Sequence, residues 1–262
     1  MKLRLLSPFI ILASLVLVVG MACGISATPA PTVPPSLPTQ AAAQPTNPPA
    51  IPPQVIPTNP PAIQPTVPAA PAQEYFTETF QGDLSLWPSD VTQGDSSKLQ
   101  QSQTSNGLHV ELDDPSLYVY YYYTPVTYQD VRLDLTYTNL AHNSNNINLI
   151  CRKSSSGWYE FTVQNDGLWQ IWAYDIITGQ KYVMLADGGS TAIRSGRQQN
   201  EITATCIGEK LTLYINGTMV KSLPYNQFYL TDGEIGFGVN ISPNNEVTPV
   251  IVDFTSLAIS KP

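Results

Sequence analysis

The sequence predicts an all-β protein in which two antiparallel sheets form a sandwich, preceded by an export signal and a proline-rich linker. Apolar and polar residues alternate with a period of two in segments such as "VRLDLTY", "EITATC" and "KLTLYIN", as expected for half-buried strands. Asp166-Gly167 and Asn216-Gly217 each separate two such segments and are typical of two-residue hairpins. No segment of residues 74–262 has a convincing helical period, so twelve or more short strands are expected.

Residues 1–22 have the order of a bacterial export signal. Two basic residues in "MKLR" precede a long apolar run, which ends in small residues before Cys23. This arrangement resembles the lipobox of bacterial lipoproteins, in which the cysteine is lipidated and becomes the mature N-terminus. The usual leucine three residues before the cysteine is replaced by Gly20. An uncleaved transmembrane anchor is the alternative, and both interpretations place the domain outside the cytoplasm.

Residues 23–73 are predicted to be the lipidated cysteine and a disordered linker. From Gly24 to Gln73 there is no charged residue, and the segment holds 16 of the 24 prolines. Such a composition cannot bury enough apolar surface to fold and favours extended polyproline II conformations. The repeated "PTNPPAI" has too short a period for a solenoid.

The remaining segment, residues 74–262, is long enough for one domain with its own core. All 20 acidic residues and only ten of the 12 basic residues lie in it, so its net charge is near −10. Because that charge repels phosphates, nucleic acid is not expected as a partner.

Two cysteines remain after Cys23, and both fall on apolar strand faces. Cys151 shares a face with Ile147 and Leu149, and Cys206 shares one with Ile202 and Ala204. In an exported domain such a pair predicts a disulfide, with two buried free thiols as the alternative.

Four phrases of residues 74–262 are distinctive: "FTETFQGDLSLWP", "LICRKSSSGWYEFTVQNDGLWQI", "NEITATCIGEKLTLYINGTMV" and the closing "GEIGFGV…VIVDFTSLAI". They resemble the concanavalin A-like lectin/glucanase superfamily, in particular bacterial jelly rolls described as laminin-G-like or 3-keto-disaccharide-hydrolase-like. The resemblance implies two curved sheets of six or seven strands each. It also implies paired first and last strands, which would bring Phe80 near Asp253 and Phe254.

No catalytic constellation is predicted. Laminarinase-type relatives carry Glu-x-Asp-x-x-Glu on one strand, and "HVELDDPS" at Glu111, Asp113 and Asp114 comes closest without completing it. Gly-x-Ser-x-Gly and phosphate-binding glycine loops are absent from the sequence. The alternating glycines of "GEIGFGVN" indicate close backbone packing instead.

Aromatic residues on the face opposite the predicted core suggest a sugar-stacking surface. Alternation places Tyr118, Tyr120 and Tyr122 opposite Val119, Tyr121 and Tyr123, and one of these rows is expected at a wet surface. With the neighbouring strands, the predicted carbohydrate-binding residues are Tyr120, Tyr122, Trp158, Trp172 and Tyr174. Ordinary β-propensity of aromatic residues is the alternative explanation.

The sequence thus favours a lipid-anchored, extracytoplasmic binding module for a polysaccharide or other glycan, without catalytic activity. A glycosidase of the same fold and a cell-surface protein-interaction domain are the alternatives. The resemblance also suggests a structural calcium ion near the paired first and last strands, where Glu78, Asp83 and Asp253 are the candidate ligands.

Overall fold

A computed structural model describes residues 73–141, 144–179, 182–225, 228–241 and 247–262. The predicted signal peptide, Cys23 and the proline-rich linker up to residue 72 lie outside these residues. No helix within the described part of the chain is long and apolar enough to cross a membrane.

The described residues form fifteen strands and two short 3-10 helices, Leu84–Leu86 and Ser96–Lys98. In chain order the strands are β1 (Phe76–Glu78), β2 (Ser89–Gln93), β3 (Leu99–Thr104), β4 (Gly107–Leu112), β5 (Tyr118–Tyr128), β6 (Val131–Asn139), β7 (Asn145–Ser154), β8 (Gly157–Gln164), β9 (Leu168–Asp175), β10 (Tyr182–Gly189), β11 (Gln199–Ile207), β12 (Lys210–Ile215), β13 (Thr218–Pro224), β14 (Gly233–Ile241) and β15 (Val250–Ser260).

The strands form two antiparallel sheets, which confirms the predicted all-β sandwich. One sheet has the order β13-β12-β11-β6-β15-β4-β3, with β1 also paired to β15, and the other has the order β10-β9-β8-β7-β14-β5-β2. The sheets therefore hold eight and seven strands, so the expectation of six or seven in each was too low for one of them.

The pairing of the first and last strands is confirmed. Phe76 of β1 is in register with Ile259 of β15. The Phe80 ring packs on Phe237 with centroids 5.0 Å apart, and Phe237 in turn meets the Phe254 ring at 4.8 Å. Phe80 thus joins an aromatic core that also contains Phe254.

The core lies between the two sheets, where alternate residues of each strand point inward. Along β6 the inward positions Val131, Leu133, Leu135 and Tyr137 are buried, while the residues between them are half-buried. This is the burial pattern that the alternation in "VRLDLTY" predicts.

A disulfide joins the two sheets. Cys151 on β7 and Cys206 on β11 are bonded, with their Cα atoms 6.7 Å apart and a sequence separation of 55. Both residues are buried in the core. The predicted pairing is confirmed, and the free-thiol alternative is wrong.

The two predicted hairpins differ in their turns. Asn216 and Gly217 have φ of 49° and 78° and connect β12 directly to β13, as a type I′ two-residue turn requires. Between β8 and β9 the loop is residues 165–167, one residue longer than predicted, with Gly167 at φ 104°. The third residue lets this loop end in the left-handed region that glycine tolerates.

Candidate functional site

The seven-stranded sheet carries a second, smaller group of buried side chains on the face away from the core. Tyr120, Tyr122 and Ile150 are buried there, with Tyr118 and Trp158 packed against them. The other residues of β5, Val119, Tyr121 and Tyr123, belong to the main core. The predicted division of the tyrosines between two faces is therefore confirmed. The outer face of this sheet also carries buried side chains.

Two glycines of β14 make room for the tyrosine rings. Gly236 and Gly238 lie opposite Tyr122 and Tyr120 in the β14–β5 ladder. A Cβ atom at Gly238 would lie 2.6 Å from Cδ1 of Tyr120, and one at Gly236 would lie 2.6 Å from Cδ1 of Tyr122. The rings thus lie over a strand that has no side chains at these positions. They are nearly parallel, with an interplanar angle of 11° and centroids 6.1 Å apart.

Glu160 of β8 is the polar centre of this face. Its Oε2 accepts hydrogen bonds from Nε1 of Trp158 at 3.1 Å and from the hydroxyl of Tyr182 at 3.2 Å. Its Oε1 accepts one from the hydroxyl of Tyr120 at 3.3 Å. Only 4% of Glu160 is exposed. Burial raises the pKa of its carboxyl group, and the hydrogen bonds from Trp158, Tyr182 and Tyr120 oppose that rise.

A second aromatic group lies beside Glu160, toward the edge strand β10. Trp158 and Tyr174 stack with centroids 4.0 Å apart. Tyr182 meets Trp172 edge to face, at an interplanar angle of 83° and a centroid distance of 6.0 Å. Trp172 is half-buried and Tyr182 is 47% exposed, so this corner of two rings is open to solvent.

A cleft of about 580 Å³ runs along this face. Its described lining residues come from β5, β7, β8, β9, β10 and β14 and from the residues around the β8–β9 loop. They are Tyr118, Tyr120, Ser144, Asn146, Glu160, Thr162, Gln164, Asp166, Leu168, Gln170, Trp172, Tyr182 and Asn240.

Side-chain amides occupy the end of the cleft away from Glu160. Asn240, Asn146 and Gln164 are side by side on β14, β7 and β8. Nδ2 of Asn146 donates to Oδ1 of Asn240 at 2.6 Å, but Oδ1 of Asn146 has no hydrogen-bond partner among the described residues. Asn148, two residues further along β7 on the same face, is fully buried, and neither polar atom of its amide has a hydrogen-bond partner in the described structure. Unpartnered buried amides are rare because each forfeits its hydration.

The predicted carbohydrate-binding residues all lie on the outer face, but they differ in burial and in whether they line the cleft. Tyr120 and Trp172 line the cleft. Tyr122, Trp158 and Tyr174 lie beside it and do not belong to its lining. Tyr120 and Tyr122 are only 2% and 5% exposed, so the expectation that this tyrosine row is a wet surface is wrong for these two rings. Tyr118 and Trp158 pack against them, and Nζ of Lys153 lies over the Tyr122 ring. Of this row only Tyr118 is half-buried rather than buried.

Several residues of the cleft were not predicted from the sequence. Glu160 and Thr162 alternate with core residues along β8, and Asn146 does so at the start of β7. The sequence signal was polar residues facing outward in otherwise apolar strands. Tyr182 carried no such signal, because its role depends on the pairing of β10 with β9.

The three carboxylates predicted to bind calcium do not converge. Glu78 accepts from the backbone N of Phe80 at 2.7 Å and from Nε1 of Trp87, and Asp83 caps the first 3-10 helix. Asp253 is 2.7 Å from Nδ1 of His109. No group of three or more potential metal-ligating side chains occurs among the described residues.

Comparison with known proteins supports the fold assignment. No protein-family model matches the chain, and no curated protein matches it either. The fold is similar to that of a Bacillus licheniformis β-glucanase, with a TM-score of 0.54 and 13% identity over 72% of this chain and 99% of that one. It is also similar to a Bacillus subtilis protein of unknown function with a galectin-like fold, with a TM-score of 0.52 and 12% identity over 71% of this chain and 94% of that one.

A third similar structure is a glycoside hydrolase family 16 endo-glucanase from Bacteroides ovatus. It has a TM-score of 0.54 and 7% identity over 71% of this chain and 99% of that one. The described domain therefore has the concanavalin A-like jelly-roll fold that the sequence resemblance implied. At these identities the likeness concerns the fold alone.

Proposed function

We propose that residues 74–262 are a carbohydrate-binding module without catalytic activity, held outside the cytoplasm by a lipid on Cys23. The observation that carries the proposal is the composition of the cleft. Aromatic rings line one end, at Trp172 and Tyr182, and amides line the other, at Asn146 and Gln164. Sugar rings have apolar faces that stack on aromatic rings, and hydroxyl groups that need donors and acceptors of this kind.

The distribution of carboxylates favours binding over hydrolysis. Among the described residues that line the cleft, only Glu160 and Asp166 are acidic. Along β8, Gln164 is about 13 Å from Glu160 at roughly 3.3 Å per strand residue. Asp166 lies in the loop beyond Gln164, so the two carboxylates are farther apart than that. Glycosidases hold their two carboxyl groups about 5–9.5 Å apart. The Glu160 carboxylate also accepts hydrogen bonds from three aromatic side chains, as expected of a residue that positions the surrounding rings.

Two of the structurally similar proteins are named as glucanases, which is consistent with a carbohydrate ligand. The disulfide supports the location, because disulfides persist in oxidising compartments outside the cytoplasm. Lipidation of Cys23 rests on the sequence pattern alone.

The test is titration of the full-length protein with a panel of β-glucans and other polysaccharides, followed by tryptophan fluorescence. We expect saturable binding by the wild type. Trp172→Ala should weaken it at least tenfold, because it removes one ring of the open corner. Tyr214→Ala is the matched control, since Tyr214 is a half-buried strand aromatic on the eight-stranded sheet.

Absence of any glycan response, or equal binding by Trp172→Ala and the wild type, would contradict the proposal. Release of reducing sugar from a bound glycan, abolished in Glu160→Gln, would show that the cleft is catalytic.

A further inference from the structure

The carboxylate of Glu160 is buried without a cation. Its three hydrogen bonds come from two phenol hydroxyls and an indole N–H, which are neutral donors. None of the ion pairs among the described residues includes Glu160. Lys153, on the neighbouring strand β7, is bonded to Glu234 at 2.9 Å and lies over the Tyr122 ring. Buried charges in proteins are almost always paired, so this carboxylate lacks its usual partner.

The surroundings of Glu160 suit a positive charge on a ligand. None of the described residues that line the cleft is Lys, Arg or His, and its second carboxylate is Asp166. The open corner formed by Trp172 and Tyr182 lies beside Glu160, and aromatic rings attract cations that have left water. The net charge near −10 of residues 74–262 adds attraction at longer range.

The amide end of the cleft supplies a second, independent point of attachment. Asn146 is 6% exposed and lines the cleft, and its Oδ1 has no partner among the described residues. That oxygen has almost no accessible surface of its own, so a ligand meets Asn146 through the part of the side chain that lines the cleft. Since Asn146 pairs with Gln164, it lies about 13 Å along the sheet from Glu160. A chain of several sugar units spans that distance, whereas one unit does not.

On the basis of the proposed function, we infer that the glycan of this cleft contains amino sugars, with a protonated amine at Glu160 between Tyr120, Trp172 and Tyr182. The ammonium donates to the Glu160 carboxylate, and units further along the chain contact the amide end of the cleft at Asn146 and Gln164. The cleft then selects cationic glycans over neutral ones and rejects those that carry uronic acids.

The experiment compares three oligosaccharides that differ only at carbon 2 of each ring. They are β-1,4-linked tetramers of glucosamine, N-acetylglucosamine and glucose, titrated into the full-length protein by calorimetry at about pH 6, where such amines are protonated. We expect the glucosamine tetramer to bind at least tenfold more tightly than the glucose tetramer. Glu160→Gln should remove that preference, so that the glucosamine and glucose tetramers bind this variant with affinities within about twofold of each other.

Glu201→Gln is the matched control, because it removes one negative charge from an exposed position on the eight-stranded sheet. It should keep the preference. A second measurement on the unaltered protein, at about 0.5 M salt, distinguishes a contact with Glu160 in the cleft from attraction by the negative net charge of the domain. A buried contact is screened much less than surface charges are, so most of the preference should survive.

The inference would be overturned if the glucosamine tetramer bound no more tightly than the glucose tetramer. The proposed function would still stand in that case, provided that the glucose tetramer binds with a measurable affinity. Loss of the preference in Glu201→Gln or at high salt would also overturn it. Failure of every glycan to bind would instead overturn the proposed function.

Discussion

Replacing Gly238 by alanine tests how the aromatic face is built. The added Cβ would lie 2.6 Å from Cδ1 of Tyr120 and 2.6 Å from the backbone oxygen of Val119. The ring can tilt away, but the backbone oxygen belongs to the β14–β5 ladder and cannot move without disturbing it. Overpacking of this kind costs about 1–3 kcal/mol. In a domain of this size, about 2 kcal/mol corresponds to a fall in Tm of roughly 4–8 °C.

The matched control is Gly189→Ala, on the edge strand β10 of the same sheet. There the nearest atoms to an added Cβ are the backbone oxygen of Gly167 at 3.7 Å and Cδ2 of Leu168 at 3.9 Å, which are ordinary contacts. Its stability should change by less than about 1 kcal/mol, in the stabilising direction if the loss of unfolded-chain entropy dominates.

Urea denaturation and calorimetry of both variants measure the difference. Gly238→Ala should also weaken glycan binding, because the displaced Tyr120 ring lines the cleft and donates to Glu160. If the two variants differ in unfolding free energy by less than about 0.5 kcal/mol, the argument that β14 lacks side chains in order to seat the tyrosines is refuted.

Further predictions concern the disulfide, the buried carboxylate and the N-terminal segment. Replacing Cys151 and Cys206 by alanine should lower the unfolding free energy by roughly 4 kcal/mol in the chain-entropy model for a loop of this length, as measured in urea; an unchanged midpoint would contradict it. Because burial raises the pKa of Glu160, protonation favours the folded chain. The stability of the wild type relative to Glu160→Gln should therefore be highest below the ordinary glutamate value of 4.5 and fall as the pH rises through the raised folded-state pKa; equal pH profiles of the two proteins in urea denaturation would refute this. Cys23→Ser should abolish labelling by radioactive fatty acid, and labelling of that variant would exclude lipidation at Cys23. A nonspecific protease should cut within residues 28–73 and leave a compact domain, whereas protection of that segment would show that it is folded.

The strand faces of this protein could be predicted from the sequence because side-chain alternation is a local property of extended backbone. The division of β5 into a core row with Tyr121 and an outer row with Tyr120 follows from counting residues, and the structure confirms it. The disulfide was predictable for the same reason, since both cysteines fall on inward faces in an exported domain. The resemblance of a few phrases to jelly-roll domains supplied the fold, including the pairing of β1 with β15.

What covers each face could not be predicted, because it depends on strands that meet from distant parts of the chain. Alternation puts Tyr120 and Tyr122 on the outer face, yet both are buried. Their rings pack against Gly236 and Gly238, which belong to a strand more than a hundred residues later in the sequence. The surroundings of the proposed calcium ligands also depend on tertiary contacts. Glu78 and Asp83 share a stretch of sequence, but each carboxylate is already occupied by hydrogen-bond donors from its own surroundings.

Glu160 shows where the boundary lies. The sequence alone determined that Glu160 and Trp158 share the outer face of β8, because they are two residues apart on one strand. Only the tertiary structure brought the hydroxyl of Tyr120 from 40 residues earlier and that of Tyr182 from 22 residues later onto the same carboxylate. Sheet order is set by the burial of the whole core, so no local pattern encodes which strands become neighbours. The cleft, its buried charge and its unpartnered amide are consequences of that order.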